Sequence, residues 1–253
     1  FGIYNFAQEL AWLPFTDVVA PLNRGFFAVI SQLRNNPDEF KKSIYQQLAV
    51  LLFVVMPCAF GVSVISEPFV KVVLGQQWLE AIPVMSNLAG LMVVMTVYMP
   101  LTVILTVKNK MHILFVADVI IVILISIMLY LSFGSSIDVI SFNRLLIGMF
   151  FLLFMIGLYT VVAELNSIHL LSLVLLPLGC SWFMYEAVSW LIGFVDNDHY
   201  KLVLAIVSGF VLYAVLAIVS VSLLKSRVYE FQIIVQQLKK QASLRLGLQR
   251  SVA

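Results

Sequence analysis

The sequence predicts an all-α fold: a polytopic bundle of about seven transmembrane helices. Of its 253 residues, 62% are hydrophobic and only 11% are charged, a balance that would leave a soluble domain with large apolar patches in water. The apolar residues also run unbroken over stretches of about 20 positions, the length that crosses a hydrocarbon core. Lipid offers backbone groups no hydrogen-bond partner, so the choice lies between a helical bundle and a closed barrel. Barrel strands would alternate over about ten residues, and these runs do not alternate.

The first segment, residues 3–31, is the most polar. It carries Asn5, Glu9, Asp17, Asn23 and Arg24 among Trp, Phe, Leu and Val, with Pro14 and Pro21 placed to bend it. Six strongly apolar segments follow at roughly 45–66, 82–107, 111–133, 144–163, 169–195 and 202–224. Cys58 and Cys180 stand isolated in apolar runs and read as reduced packing residues. Residues 1–225 form the membrane bundle, and 226–253 form a basic tail. There Val228, Phe231, Val235, Leu238 and Ala242 recur at alternating steps of three and four, the pattern of an interfacial amphipathic helix.

Lys and Arg set the orientation, because basic loops stay cytoplasmic. Eleven fall on one face: Arg34, Lys41, Lys42, Lys108, Lys110, Lys225, Arg227, Lys239, Lys240, Arg245 and Arg250. The alternate loops hold Lys71, Arg144 and Lys201, with acidic Asp196 and Asp198 beside them. The C-terminus is therefore expected in the cytoplasm. Seven crossings put Phe1 outside although no export signal precedes it, so the expectation is a chain cut from something longer. A net charge of +2 gives no reason to expect nucleic acid as a partner.

Three stretches carry a family resemblance. FGIYNFAQELAWLPFTDVVAPLNRGFFAVISQLRNNPDEFKKSIYQQ contains a Gly-x-Tyr-x-x-Ala opening, a Leu-Pro, a Pro-x-x-Arg and a Ser-x-Leu before a short charged loop. PFVKVVLGQQWLEAIPVM is similar to Leu-x-Gly-x-x-Trp-x-x-Ala-x-Pro, carried here by Gly75, Trp78, Ala81 and Pro83. In LTVILTVKNKMHILFVADVI a basic turn joins two spans. Together they resemble the Wzx-type polysaccharide flippases of the multidrug/oligosaccharidyl-lipid/polysaccharide exporter superfamily. The resemblance covers residues 1–130 well and the rest by span count and hydropathy.

That resemblance implies about fourteen helices in two lobes around a central cavity, of which this chain is most of the second lobe, its polar opening span similar to the family's eighth helix. It further implies a bacterial inner-membrane protein that flips undecaprenyl-pyrophosphate-linked oligosaccharide repeats for lipopolysaccharide or exopolysaccharide synthesis. The implied partners are the lipid-linked oligosaccharide, membrane lipid, the N-terminal lobe of the same protein and polysaccharide polymerase machinery. No cofactor or metal is implied.

Ionisable groups within spans cost several kcal/mol in hydrocarbon and so face protein or a watery cavity. Asp17 and Arg24, seven apart, share a helical face, with Glu9 about 80 degrees away. With Asn23 they form either a cavity wall for sugar hydroxyls and phosphate or a structural ion pair. Arg144 at the start of its span either binds substrate or snorkels to the interface. Asp118 and Glu186 either couple transport to protons or cations, since a desolvated carboxylate titrates nearer neutrality, or make a satisfied hydrogen bond across the bundle. Trp78 is an aromatic-belt anchor or a stacking platform, and Trp182, Tyr185 and Trp190 surround Glu186 in sequence. Asp196, Asp198 and His199 read as a solvated hairpin rather than a metal site. No phosphate-binding Gly-rich loop and no nucleophile–base arrangement is present. The chain therefore reads as a transporter rather than an enzyme. A drug or cation exporter of the same superfamily, a membrane-embedded sugar polymerase or ligase, and a non-transporting scaffold are the competing readings.

Overall fold

The structure, a computed structural model, describes residues 2–224. The side chains of residues 18, 20, 24 and 221–224, and the tail predicted at 226–253, lie outside the described residues. The chain is an all-α polytopic bundle: α1 (Gly2–Gln32), α2 (Pro37–Phe69), α3 (Ala81–Ala89), α4 (Leu91–Val107), α5 (Met111–Leu131), α6 (Ile137–Val162), α7 (Ser167–Ile192) and α8 (Asp198–Leu224). A π-helical turn (Val70–Leu74) and a 3-10 turn (Gln76–Trp78) join α2 to α3. Six spans have the length and apolarity to cross a membrane, among the described residues. They are α2 with its π turn, α3 with α4 as one unit, α5, α6, α7 and α8 through Ser220. The first helix is long enough but too polar to be among them.

Helix starts follow local chemistry. Asn36 caps α2 by accepting from the Glu39 amide, with Pro37 at the first helical position and Asp38 and Glu39 against the positive end of the dipole. Ser136 accepts from the Val139 amide at the head of α6, and Asn166 accepts from Ile168 at the head of α7. The helices therefore begin earlier than the apolar runs that reveal them. For α6 the helix starts at Ile137, ahead of the run expected from 144, because polar residues cap and extend it beyond the hydrocarbon. Pro14 and Pro21 sit inside α1, which continues as one helix through both.

The second helix is the hub, packing on α1, α3, α4, α7 and α8. Its Leu51, Leu52 and Met56 meet Leu88 of α3, Met92, Leu101, Ile104 and Leu105 of α4, and Tyr159 of α6 in one fully buried cluster. Helix α5 packs on α4 and α6 at the periphery and leaves Phe115, Val116, Ile120 and Ile123 exposed. That gradient, from 72% buried along α3–α4 through 17% along α5 to 6% along α8, fits a membrane-embedded bundle, in which lipid rather than water covers the outer ring.

Lipid tails are as apolar as leucine, so helices associate through close packing. A side chain on Gly90, between α3 and α4, would put a Cβ 2.6 Å from Leu145 Cδ1, and one on Gly148 would collide with Leu91. These two glycines let α6 approach. Gly75 has a different role: its φ of 88° and ψ of 176° lie in a region that only glycine occupies comfortably, and this reverses the chain between the π and 3-10 turns. Gly75→Ala is expected to destabilise the folded protein by about 1–3 kcal/mol. Gly61→Ala, in a helical and sterically open position, should be neutral or slightly stabilising. Thermal unfolding of both variants in lipid nanodiscs checks the contrast, and equal melting temperatures would remove the backbone argument.

Candidate functional site

One face of α1 is buried: Ala7, Ala11, Phe15, Val19, Phe26 and Ile30, at steps of four and seven. Trp12 fixes the helix to α3 by donating its indole N–H to the Leu88 carbonyl at 3.2 Å. Phe6 packs on Trp78 with ring centroids 4.6 Å apart, tying the opening of α1 to the turn after α2. The opposite face of α1 is exposed and holds Asn5, Glu9, Thr16 and Asp17. The outward side of α1 thus shows amide and carboxylate groups along its first half, interspersed with exposed Leu13 and followed by exposed Leu22, Phe27 and Val29.

The predicted residues separate. Asn23 turns inward, donating from Nδ2 to the Met99 carbonyl of α4 at 3.4 Å, while its buried Oδ1 has no partner among the described residues. The Arg24 side chain lies outside the described residues. Arg144, in the second turn of α6, is half-buried, and its Nε has no hydrogen-bond partner among the described residues. Asp118 accepts from the Tyr98 hydroxyl at 3.0 and 3.2 Å across the α4–α5 contact. Glu186 is exposed on α7, on the same outer side as Trp182, Phe183 and Trp190. Asp198 reaches Lys201 at 3.9 Å and the Asn197 side chain accepts from the His199 amide, which makes the 196–199 turn a capped hairpin.

Two features escaped sequence reasoning because they join distant helices. At one end of the bundle lies a polar cavity of about 550 Å³, lined by Ser63, Ser66 and Glu67 of α2, Ser86 and Asn87 of α3, Asp138 of α6, Tyr185 and Ser189 of α7 and Lys201 of α8. Asn87 donates to Asp138 at 3.2 Å and to Ser141 at 3.0 Å, and Lys71 pairs with Glu67 at 2.6 Å. A second cavity, about 470 Å³ and almost wholly apolar, lies between Pro14 of α1, Phe53, Pro57, Cys58 and Gly61 of α2, and Gly209 and Tyr213 of α8. Cys58 and Cys180 are free thiols.

The other end is closed by a knot around the α6–α7 loop. Lys41 pairs with Glu164 at 3.1 Å, and Lys108 donates to the Val162 carbonyl at 2.7 Å while lying 5.3 Å from the Phe40 ring centroid. The Tyr45 hydroxyl accepts from the Asn166 amide at 2.7 Å. Burial pulls the Lys108 ammonium below its ordinary pKa, opposed by Glu164 and reinforced by Lys110 and Lys41. The hydrogen bond from Lys41, then the charges of Lys41 and Lys108, hold the Glu164 carboxyl below the usual carboxylate value.

Fold and site define a multi-pass α-helical membrane protein. Residues 1–83 match the family described as polysaccharide biosynthesis protein. The chain is 26% identical over 114 residues to the lipopolysaccharide biosynthesis protein WzxC of Escherichia coli (strain K12), covering 45% of this chain and 23% of that protein. It is 24% identical over 196 residues to an uncharacterized membrane protein in the cps region of Klebsiella pneumoniae, covering 72% of this chain and 40% of that one. It is 25% identical over 88 residues to the teichuronic acid biosynthesis protein TuaB of Bacillus subtilis (strain 168), covering 35% and 18%. The matches span less than half the length of these curated relatives. No solved structure matches. The family match and these relatives make the chain similar to polysaccharide biosynthesis proteins.

Because Glu164 is more acidic in the folded chain, its contribution is present above the ordinary carboxylate pKa and is lost as pH falls through the lowered folded value. Thermal stability measured from neutral to acid pH should therefore decline less steeply for Glu164→Gln than for the unaltered protein, and added salt should narrow the difference because Glu164 is exposed. Parallel profiles would mean that the pair does not contribute.

Proposed function

We propose that this chain is most of the second lobe of a flippase that moves undecaprenyl-pyrophosphate-linked oligosaccharide repeats across the bacterial cytoplasmic membrane for lipopolysaccharide or exopolysaccharide synthesis. The observation that carries the reading is the exposed polar face of α1 in an otherwise apolar bundle, inside the region that matches the polysaccharide biosynthesis family. A lipid-facing helix would not retain Asn5, Glu9 and Asp17 at exposed positions, given the cost of each charge in hydrocarbon. A first lobe packed opposite would turn this face into the wall of a central, watery cavity.

In this reading Glu9, Asp17, Arg24 and Arg144 contact the head group, while Asn23, expected with them, turns toward α4 and braces the helix. Carboxylates and amides accept from and donate to sugar hydroxyls. The Arg144 Nε, buried and without a hydrogen-bond partner among the described residues, supports a role on phosphate oxygens, which a guanidinium recognises with paired donors. Asp118, already engaged by Tyr98, and Glu186, exposed on α7, are the proposed ion-coupling groups. The lobes rock to open the cavity to one leaflet and then the other, the lipid tail stays in the bilayer, and no covalent chemistry occurs. The basic loops and tail face the cytoplasm, and polymerase machinery receives the product on the other side.

Asp17→Asn in the full-length protein should lower delivery of lipid-linked sugar to the outer leaflet by roughly tenfold to a hundredfold, the loss of a hydrogen bond to a charged group. Membrane abundance should stay near normal, because Asp17 is exposed in the bundle. Delivery at the original rate would remove Asp17 from the binding surface.

A further inference from the structure

The polar cavity at the end of the bundle that holds Glu67, Asp138 and Lys201 is not accounted for by the face of α1. We infer that it is a carbohydrate-binding site, taking a neutral, hydroxyl-rich portion of the sugar head group on the side opposite the basic loops. This rests on the flippase reading and adds a second station to it.

The chemistry of the lining selects the ligand class. At about 550 Å³ the cavity falls within the ~300–1,000 Å³ of small-molecule sites. Its charged lining is two carboxylates, Glu67 and Asp138, against one ammonium, Lys201. That balance does not favour a phosphate or pyrophosphate anion. Each charge is also already compensated: Glu67 by Lys71 at 2.6 Å, Lys201 by Asp198 at 3.9 Å, and Asp138 by the Asn87 amide at 3.2 Å. A free ion of either sign therefore gains little there.

The remaining polar lining is hydroxyl and amide. The Ser63 and Ser86 hydroxyls are 2.6 Å apart across α2 and α3, Ser66 donates to the Ser63 carbonyl at 2.8 Å, and Ser189 approaches from α7. Hydroxyls both donate and accept, and so do those of a sugar, so the two sets can interleave without leaving a group unpaired. Tyr185 adds an aromatic wall, braced by Phe60 at 6.1 Å and Trp182 at 6.3 Å. An apolar ring surface beside a dense set of neutral hydrogen-bonding groups, with charges confined to compensated pairs, matches the alternating faces of a pyranose.

The test places the photoreactive residue p-benzoylphenylalanine at Ser189, in the cavity, in the full-length protein within cells fed radiolabelled sugar precursors. Parallel proteins carry it at Thr16, on the polar face of α1, and at Leu129, exposed on α5. After irradiation the protein is purified and treated with mild acid, which cleaves the sugar from its pyrophosphate. The expected result is label on the Ser189 protein that survives acid, absent from the Leu129 protein, and reduced about threefold to tenfold by Ser63→Ala at unchanged abundance, the loss of one neutral hydrogen bond. Acid-labile label at Ser189 would place lipid or phosphate there and overturn the inference, as would equal label at Leu129 or label unaffected by Ser63→Ala. Label at Thr16 with none at Ser189 would overturn the end site and leave the flippase reading standing; no label at either position in an abundant protein would overturn both.

Discussion

Hydrocarbon offers no hydrogen bonds, and every feature of this bundle answers to that constraint. The backbone satisfies itself in helices up to 33 residues long. Side-chain hydroxyls in those helices turn back onto their own backbone: Thr96 donates to the Met92 carbonyl, Thr106 to Thr102, Ser126 to Val122 and Ser208 to Leu204. Buried aromatic polar groups do the same across helices. The Tyr159 hydroxyl donates to the Val97 carbonyl at 2.8 Å, Tyr213 to Phe53 at 2.7 Å, and the Trp12 indole to Leu88 at 3.2 Å. Each bond satisfies a group that would otherwise be costly in lipid, and each also fixes one helix against another.

Other polar groups gather in three regions, the exposed face of α1, the cavity at one end, and the knot of Lys41, Lys108 and Glu164 at the other, with Glu186 standing apart on the outside of α7. The knot is local and satisfied, and it locks the α6–α7 loop onto α2 and the α4–α5 turn. With α2 packed on five other helices and α6 drawn close at Gly90 and Gly148, the helices hold one another in a single bundle.

Much of the fold was legible because hydropathy reads the bilayer directly. Residues 111–133 correspond closely to α5, an almost purely apolar helix at the lipid boundary. The ends of α2 and α6 were not legible: Pro37 to Phe40 and Ile137 to Asn143 are helical by virtue of caps and acidic first turns, which hydropathy discounts. The break at Gly90 lies inside one continuous apolar run and leaves no hydropathic trace. Among candidate residues, the sequence placed Glu9 and Asp17 on a polar helix, and the structure puts both at exposed positions. It could not foresee that Tyr98 engages Asp118 or that Asn23 turns toward Met99, because these contacts depend on which helices are neighbours. The end cavity was invisible for the same reason: serines and an asparagine spread over α2, α3 and α7 carry no motif until the helices assemble.

The central claim is that the exposed face of α1 borders water inside the complete protein. Single cysteines along residues 5–17, in a full-length Cys58→Ala, Cys180→Ala background, test it through reaction with a small water-soluble thiol reagent in intact membranes. The account predicts strong labelling at Asn5, Glu9, Thr16 and Asp17 and none at Ala7, Ala11 and Phe15, which pack inward. Labelling of the first set by lipid-soluble reagents alone would put this face in hydrocarbon and contradict the account.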